Sequence, residues 1–396
     1  MLPLGELTAI VGVGTPTRSN PAFYGGAIPW VTPKDMKAWE IRSAQVTITQ
    51  TGLDSSATRL VPANSILIVV RSGVLKHTLP IGLNRVPVAI NQDMKALLCR
   101  DAVDPDFLAR FIKARSPEIL QWVRATTADN FPIDRLRMLP IPLPPLAEQR
   151  RIATVLTRVD ALRAKRRAAL DQLRGLTQAI LVDLVGDPVN GDSGWPVESI
   201  TDIAAREKHA IVDGPFGSSL KPHHYKGSGI PVVRIANISK HGDFVPSNLL
   251  YIELPLFESL RRSRIRPGDV LISRVGTIGN TCIFPEGVGD ALLSTTGVCK
   301  ITVNPERVLP VFLHQALRMP SFQDQIHKSA STSVQKYFNL TALKSWRLAV
   351  PPMEVQRSFA GRVASVEILK AQLRASLAEF DALFATIQYR AFRGEL

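Results

Sequence analysis

Residues 144–150 read PPLAEQR and residues 351–357 read PPMEVQR. A constant shift of 207 residues carries the first onto the second, and the register holds without a gap through the rest of the chain. Under it Gln149 meets Gln356, Arg150 meets Arg357, Val159 meets Val366, Leu162 meets Leu369, Leu173 meets Phe380, and Leu176 meets Leu383. Phe131 and Leu136 fall on Phe338 and Leu343 at the same shift. Working outward, GGAIPWVTPKDM (25–36) echoes GSGIPVVRIANI (227–238), and VPANSILIVVRSG (61–73) echoes RPGDVLISRVG (266–276) after a small gap. Self-similarity of this order and extent means two copies of one plan. Each copy is a variable globular stretch, a Pro-Pro pair, then a long helical pattern.

The helical stretches follow from what is missing and what recurs. From Leu146 to Leu184 there is no proline and one glycine, Gly175. Apolar residues recur with heptad-like spacing at Ile152, Val155, Val159, Leu162, Ala169, Leu173, Leu176 and Ile180, interrupted by Arg166. The second copy gives Phe359, Val366, Leu369, Leu373, Phe380, Leu383 and Ile387. Such spacing predicts a coiled-coil seam. Pro144-Pro145 and Pro351-Pro352 cannot continue a helix backward and fix each start. At ~1.5 Å rise per residue, about 38 residues span nearly 60 Å. Two tandem units would lay these helices antiparallel about a pseudo-twofold axis, giving a rod with a globular head at each end. The Arg150, Arg151, Arg158, Arg163, Lys165, Arg166, Arg167 run reads equally as a solvated face or as a surface for acidic partners.

The predicted organisation is α+β: two tandem globular domains, residues 1–139 and 187–346, each followed by a spacer helix, residues 140–186 and 347–396. Ser65–Val70 and Val270–Ser273 read as buried strands after turns at Ala63-Asn64 and Gly268-Asp269. Asp106–Ala114 and Leu309–Met319 read as helices.

The chain of 396 residues has 48 Lys and Arg against 34 Asp and Glu, a net charge of +14 shared among all four segments. That balance favours a polyanionic partner held by folded surfaces rather than by a basic tail. No apolar run reaches the roughly 18 residues of a membrane span, and the N-terminus lacks the pattern of a secretory signal. The three cysteines, Cys99, Cys282 and Cys299, are scattered, which argues against a zinc site or disulfide framework and predicts a cytoplasmic protein.

Polar loop residues able to match base edges are the expected readers of nucleic acid. The first domain offers Thr32, Lys34, Lys37, Arg71, Asn91, Gln92, Thr127 and Asn130. The second offers Arg234, Asn237, Lys240, Arg274, Thr277, Asn280, Thr295, Thr296, Ser333, Gln335, Lys336 and Tyr337, with Ser331–Tyr337 the best single stretch. For the helix seam and partner surface the expected residues are Gln149, Arg150, Ile152, Val159, Leu162, Leu173 and Leu176, with Gln356, Arg357, Val366, Leu369, Leu373, Phe380 and Leu383 in the second copy.

PLPPLAEQRRI (142–152) resembles the conserved signature of type I restriction–modification specificity subunits. VGVGTPTRSNPAFYGGAIPWVTPKDM (11–36) is similar to the opening of their first target recognition domain. PGDVLISRVGTIGN (267–280) and TSVQKYFNLTALKSWRLAVPP (332–352) resemble the body and end of a second. The second copy departs at Met353-Glu354-Val355-Gln356, where the glutamate is displaced one place, and the N-terminus carries less lead-in than Trp195–Ile203 provides for the second domain. The resemblance implies a non-catalytic subunit in which each domain reads half of a split, asymmetric duplex site. The helices would set the unread spacer, with half-sites on the order of one helical turn apart. They would also dock two methyltransferase subunits, which hold the S-adenosylmethionine, and motor-nuclease subunits would join for cleavage. No cofactor is expected in this chain.

Enzyme readings fit less well. Asn20-Pro21-Ala22-Phe23 approximates an adenine methyltransferase motif, but Ala stands at its third position and no Gly-rich cofactor loop accompanies it. There is no G-x-x-x-x-G-K-[ST] phosphate loop for a motor, and Asp269 and Asp290 lack the partners of a metal-dependent nuclease. The alternative is a coiled-coil scaffold that binds only proteins.

Overall fold

The computed structural model describes residues 1–12, 14–124, 129–190, 194–217, 219–331 and 336–395. The chain folds as two compact units, Met1–Lys165 with Ser376–Leu396, and Arg166–Ala375.

The first unit contains β1 (Thr8–Val11), β2 (Tyr24–Val31), β3 (Glu40–Ile41), β4 (Thr47–Ile48), β5 (Ile66–Val69), β6 (Ile81–Asn84), β7 (Ala89–Ile90) and β8 (Met94–Cys99). It also holds α1 (Pro105–Ala114) and the first half of α2 (Leu146–Val185). One sheet has the order β1-β8-β5-β6-β3 and the other β4-β2-β7, with β2 and β7 parallel. The second unit contains β9 (Ile211–Asp213), β10 (Ile230–Val233), β11 (Leu250–Ile252), β12 (Arg264–Ile265), β13 (Val270–Ser273), β14 (Thr281–Ile283), β15 (Ala291–Leu293) and β16 (Val298–Ile301). With it go α3 (Pro310–Leu317) and the first half of α4 (Met353–Ala391). Its sheets run β9-β16-β13-β14 and β11-β10-β15-β12, with β10 and β15 parallel as β2 and β7 are; the first unit also pairs β3 and β6 in parallel. The shared strands run in the same order in both units, with β3 added at a sheet edge in the first and β12 in the second, so the sequence repeat is a fold repeat.

The apolar runs in β5 and β13 are explained by burial on both faces. Ile66 and Ile68 enter one core while Leu67 and Val69 enter another, as the two-residue period of a strand requires. Val270 and Ile272 likewise face away from Leu271. Asn64 and Gly268 supply the left-handed turns before these strands, with φ of 63° and 89°. Both units keep their lead-in. Leu2 and Pro3 pair with Ile141 and Pro140, and Val197–Ser199 pair with Arg347–Ala349. The Leu4 N–H donates to Leu139 and the Ile200 N–H to Trp346, both at 2.9 Å.

Inside each unit the long helices pack antiparallel. In the first, Ile152, Ala153 and Leu156 of α2 meet Phe384, Ile387 and Ala391 of α4, and Arg163 Nε donates to Asp381 Oδ1 at 2.5 Å. In the second, Leu181 and Val185 share a core with Phe359 and Val363, and Lys370 Nζ donates to Thr177 Oγ1 at 3.4 Å. The inward positions of α2 advance by alternating fours and threes through Ile152, Leu156, Val159, Arg163, Arg166, Leu170, Leu173 and Thr177, and then by four to Leu181. Those of α4 run through Phe359, Val363, Val366, Lys370, Leu373, Leu377, Phe380, Phe384, Ile387 and Ala391. Leu162, Leu176, Leu369 and Leu383 were expected on the seam but stand outside it, 41–49% exposed. The seam holds Arg163, Thr177 and Lys370 instead, because each cation finds an acid: Arg163 holds Asp160 and Asp381, and Lys370 holds Glu367. No helix among the described residues is long and apolar enough to cross a membrane.

Candidate nucleic-acid interface

The Pro-Pro-x-x-x-Gln signature is a local lock, repeated twice. Gln149 is fully buried; its Oε1 accepts the Asp104 N–H at 2.9 Å, and its Nε2 donates to the carbonyls of Ala102 at 3.0 Å and Pro144 at 2.8 Å. Gln356 repeats all three bonds, accepting from Leu309 at 2.8 Å and donating to Arg307 at 2.9 Å and Pro351 at 2.8 Å. Each amide ties the start of α1 or α3 to the start of the following long helix. A primary amide has both donor and acceptor capacity for this; glutamate has no donor. These two glutamines therefore face their own units, while the neighbouring Arg150 and Arg357 are exposed.

The candidate readers gather where the central strands end. In the first unit the backbone of Arg71, just past β5, bonds to Asp93 and bridges to Asn130. Arg71 Nε donates to Asp93 Oδ1 at 2.6 Å, and Asn91 Nδ2 donates to Asp93 Oδ2 at 3.0 Å. Beside them lies a groove of about 640 Å³ that Thr32, Lys34 and Asn91 help to line. Its loop is shaped by Asp35, whose Oδ2 accepts both the N–H and the Oγ1 hydrogen of Thr32 at 2.8 Å. Lys37 is exposed outside the groove, and Gln92 is bonded to Thr15. Thr127 lies outside the described residues.

The sequence reading missed the groove's aromatic floor. Trp30 is 3% exposed, Tyr24 meets it edge-on at 6.0 Å, and the Arg18 guanidinium lies 5.9 Å from its ring centre. The Trp30 indole N–H has no hydrogen-bond partner among the described residues. A buried indole donor ordinarily finds an acceptor, so this one leaves a desolvation cost unmet beneath the groove. Its signal was available in Ile28-Pro29-Trp30, since an aromatic at the end of β2 has an aliphatic counterpart, Val232, in the other copy.

The second unit brings together a matching strand end. The Arg274 N–H bonds to Gly297, Val275 bridges to Tyr337, and the Gly276 N–H donates to Lys336 at 3.0 Å. Thr277, Thr295, Lys336 and Tyr337 are exposed there, with Thr296 and Asn280 half-buried. Two candidates are already spent. Arg274 donates to Asp213 at 2.6 Å and to the Phe338 carbonyl at 3.0 Å. Asn237 is fully buried, accepting the Arg234 N–H at 2.9 Å and donating to Val245 and Ser247. It is the counterpart of Asp35: it shapes a loop rather than facing solvent. Arg234 donates to the Asn248 carbonyl at 2.5 Å. Lys240 is exposed in a different loop, whose Asp243 bonds Arg374 of α4. Ser333 and Gln335 lie outside the described residues. Phe216, 68% exposed in the Gly214-Pro215-Phe216-Gly217 turn after β9, joins this edge through the Gly214 N–H bond to Val298. Turn chemistry carrying an exposed aromatic was the signal for it.

Burial pushes the thiols of Cys99, Cys282 and Cys299 up to about 12, so none is a ready nucleophile. Among the described residues no cluster of three or more His, Cys, Asp or Glu is arranged to hold a metal ion.

Comparison with known proteins agrees with this geometry. The family model of the type I restriction modification DNA specificity domain matches residues 1–172. The EcoR124I/EcoR124II specificity subunit of Escherichia coli is 38% identical over 162 residues, 40% of this chain and 40% of that protein. The Escherichia coli EcoBI specificity subunit is 26% identical over 345 residues, 78% of this chain and 70% of that protein. The match to the specificity domain is to residues 1–172, and the chain spans less than half the length of the first of these relatives. The M. genitalium S subunit shares the fold of this chain over 98% of it and 95% of its own length, with a TM-score of 0.57 at 15% identity. A chain from a structure describing assembly and conformational transition of the type I R-M system does so over 100% and 97%, with a TM-score of 0.57 at 19% identity.

Proposed function

We propose that this chain is the non-catalytic DNA-reading subunit of a type I restriction–modification assembly. Each unit reads one half of a split, asymmetric duplex site. The observation that carries this is one strand-end platform built twice with different side chains. Trp30, Thr32 and Lys34 stand in one copy where Val232, Arg234 and Ala236 stand in the other. A shared scaffold with unlike readers suits a site whose halves differ in sequence.

The long helices set the spacer and dock two methyltransferase subunits, which carry the S-adenosylmethionine; motor-nuclease subunits complete the cleaving assembly. The exposed leucines support this. Leu162 and Leu383 in one unit, and Leu176 and Leu369 in the other, occupy matched repeat positions on faces that the seam leaves open. The readers span residues 1–139 and 187–346, and the helices span 140–186 and 347–396.

The test is to co-express the chain with a cognate methyltransferase subunit and map modified adenines. A bipartite motif with a fixed gap is expected, and exchanging residues 1–139 should change one half alone. Modification at a continuous motif, or none, overturns the reading. Adding one heptad to both helices should lengthen the gap and keep both halves.

A further inference from the structure

In the second unit the loop Ser239–Asp243, helix α3 and facing stretches of α2 and α4 enclose a cavity of about 170 Å³. Its wall carries four cations, Arg174, Arg318, Lys370 and Arg374, against two carboxylates, Asp243 and Glu367. Both carboxylates are engaged: Arg374 Nη2 donates to Asp243 Oδ1 at 2.9 Å and Lys370 Nζ to Glu367 Oε1 at 2.7 Å. The Arg318 guanidinium makes no hydrogen bond or ion pair with any described residue, although it is half-buried. Burial first, and then the approach of Arg174, works against its charge, with Asp243 opposing.

The other copy shows what a balanced version looks like. At the 207-residue shift, Glu367 and Lys370 correspond to Asp160 and Arg163, whereas Arg174 corresponds to Asp381. In the first unit Arg163 donates to both Asp160 at 2.7 Å and Asp381 at 2.5 Å, and Arg110 donates to Asp160 at 2.7 Å. Arg110 and Arg163 there both meet acids. Reversal of one charge, Asp to Arg, adds a cation to the second unit's cavity: Arg174 pairs along its own helix with Asp171, Lys370 with Glu367 and Arg374 with Asp243, and the Arg318 guanidinium is left without an acid among the described residues. Gly242, at φ 89°, lets the loop lie on the guanidinium, since a Cβ there would sit 2.2 Å from Arg318 Nη1. His314, buried in the same wall, shares a hydrogen bond with the Thr281 hydroxyl at 3.1 Å.

We propose that this cavity binds a phosphate-class oxyanion, with Arg318 as its principal ligand and Arg174 and Lys370 supplying the remaining field. Planar guanidinium donors suit such an anion, and a partly desolvated cation without a partner gains most from one. The inference does not depend on the DNA-reading proposal.

The test uses the full chain in chloride buffer at constant ionic strength, titrated with inorganic phosphate and followed by calorimetry and phosphorus NMR. Saturable binding at one site is expected, weakened at least tenfold in Arg318→Gln and in Arg174→Asp. In phosphate-free buffer Arg174→Asp should match or exceed the parent's melting temperature, because it restores the charge pattern of the first unit; a fall there would assign these residues a purely structural role and overturn the proposal. Absence of saturable phosphate binding, or unchanged affinity in both variants, also overturns it. Duplex binding that phosphate competes and Arg318→Gln weakens would identify the source as a DNA backbone phosphate; duplex binding unchanged in that variant would identify a free oxyanion.

Discussion

The signature glutamines show how one side chain organises a junction. Each buried amide satisfies one backbone N–H and two carbonyls where two helices begin. Substituting Gln149 or Gln356 by alanine should therefore cost about 2–3 kcal/mol, since buried partners are left unpaired. Denaturant unfolding of each variant, with its unit followed separately, checks this. A loss as small as that of an exposed substitution, under about 0.5 kcal/mol, would mean the bonds are replaced by water. His314 gives a pH dependence. Burial, then the charges of Arg318 and Lys370, hold its imidazole down to about 3, against an ordinary value of 6.5. Between those values the unfolded chain binds the extra proton, so stability rises with pH across that window and is lost as the pH falls through it. His314→Gln should flatten that part of the stability profile for the second unit; an unchanged slope would reject the assignment.

At the scale of elements, the helix seam teaches that apolar residues alone do not fix a register. Leucines at 162, 176, 369 and 383 fit a heptad drawn through the apolar letters. The packed register runs one residue later and admits Arg163, Thr177 and Lys370 because each finds a partner across or along the helices. The two classes of position should behave differently. Leu156, fully buried against Phe107 and Ala391, should cost about 2–4 kcal/mol as Leu156→Ala. Leu162→Ser and Leu383→Ser should stay within about 0.5 kcal/mol in the chain alone, and weaken association with a methyltransferase subunit if the docking proposal holds. Thermal unfolding and co-purification separate the two effects.

For the whole chain, the last residues complete the first unit. Phe392 packs edge-on to Phe107 at 5.7 Å and Phe111 at 5.0 Å, and Ala391 is buried with Ile152 and Leu156. A chain ending at residue 375 should lose the cooperative unfolding of residues 1–165 while leaving the second unit's transition near its original position. Limited proteolysis should then cut preferentially within residues 1–165; equal resistance in the truncated chain would contradict this closure.

What was legible without coordinates was whatever repeats or has a fixed local period. The duplication, the Pro-Pro starts, the two long helices, and the buried strands at Ile66–Val69 and Val270–Ser273 all follow from spacing and turn chemistry along the chain. The candidate interface was legible only in part. Thr32, Lys34 and Asn91 do meet at one groove, but Asn237 and Arg274, equally plausible as letters, are consumed inside the second unit. The unpartnered Trp30 N–H, the exposed Phe216 and the cation-rich cavity were also invisible in the letters. The physical reason is one of range. Periodicity and turn propensity act between near neighbours, so the sequence carries them openly. Whether a polar side chain is spent or free depends on partners brought from distant segments, and only the folded chain decides which acids, carbonyls and rings arrive beside it.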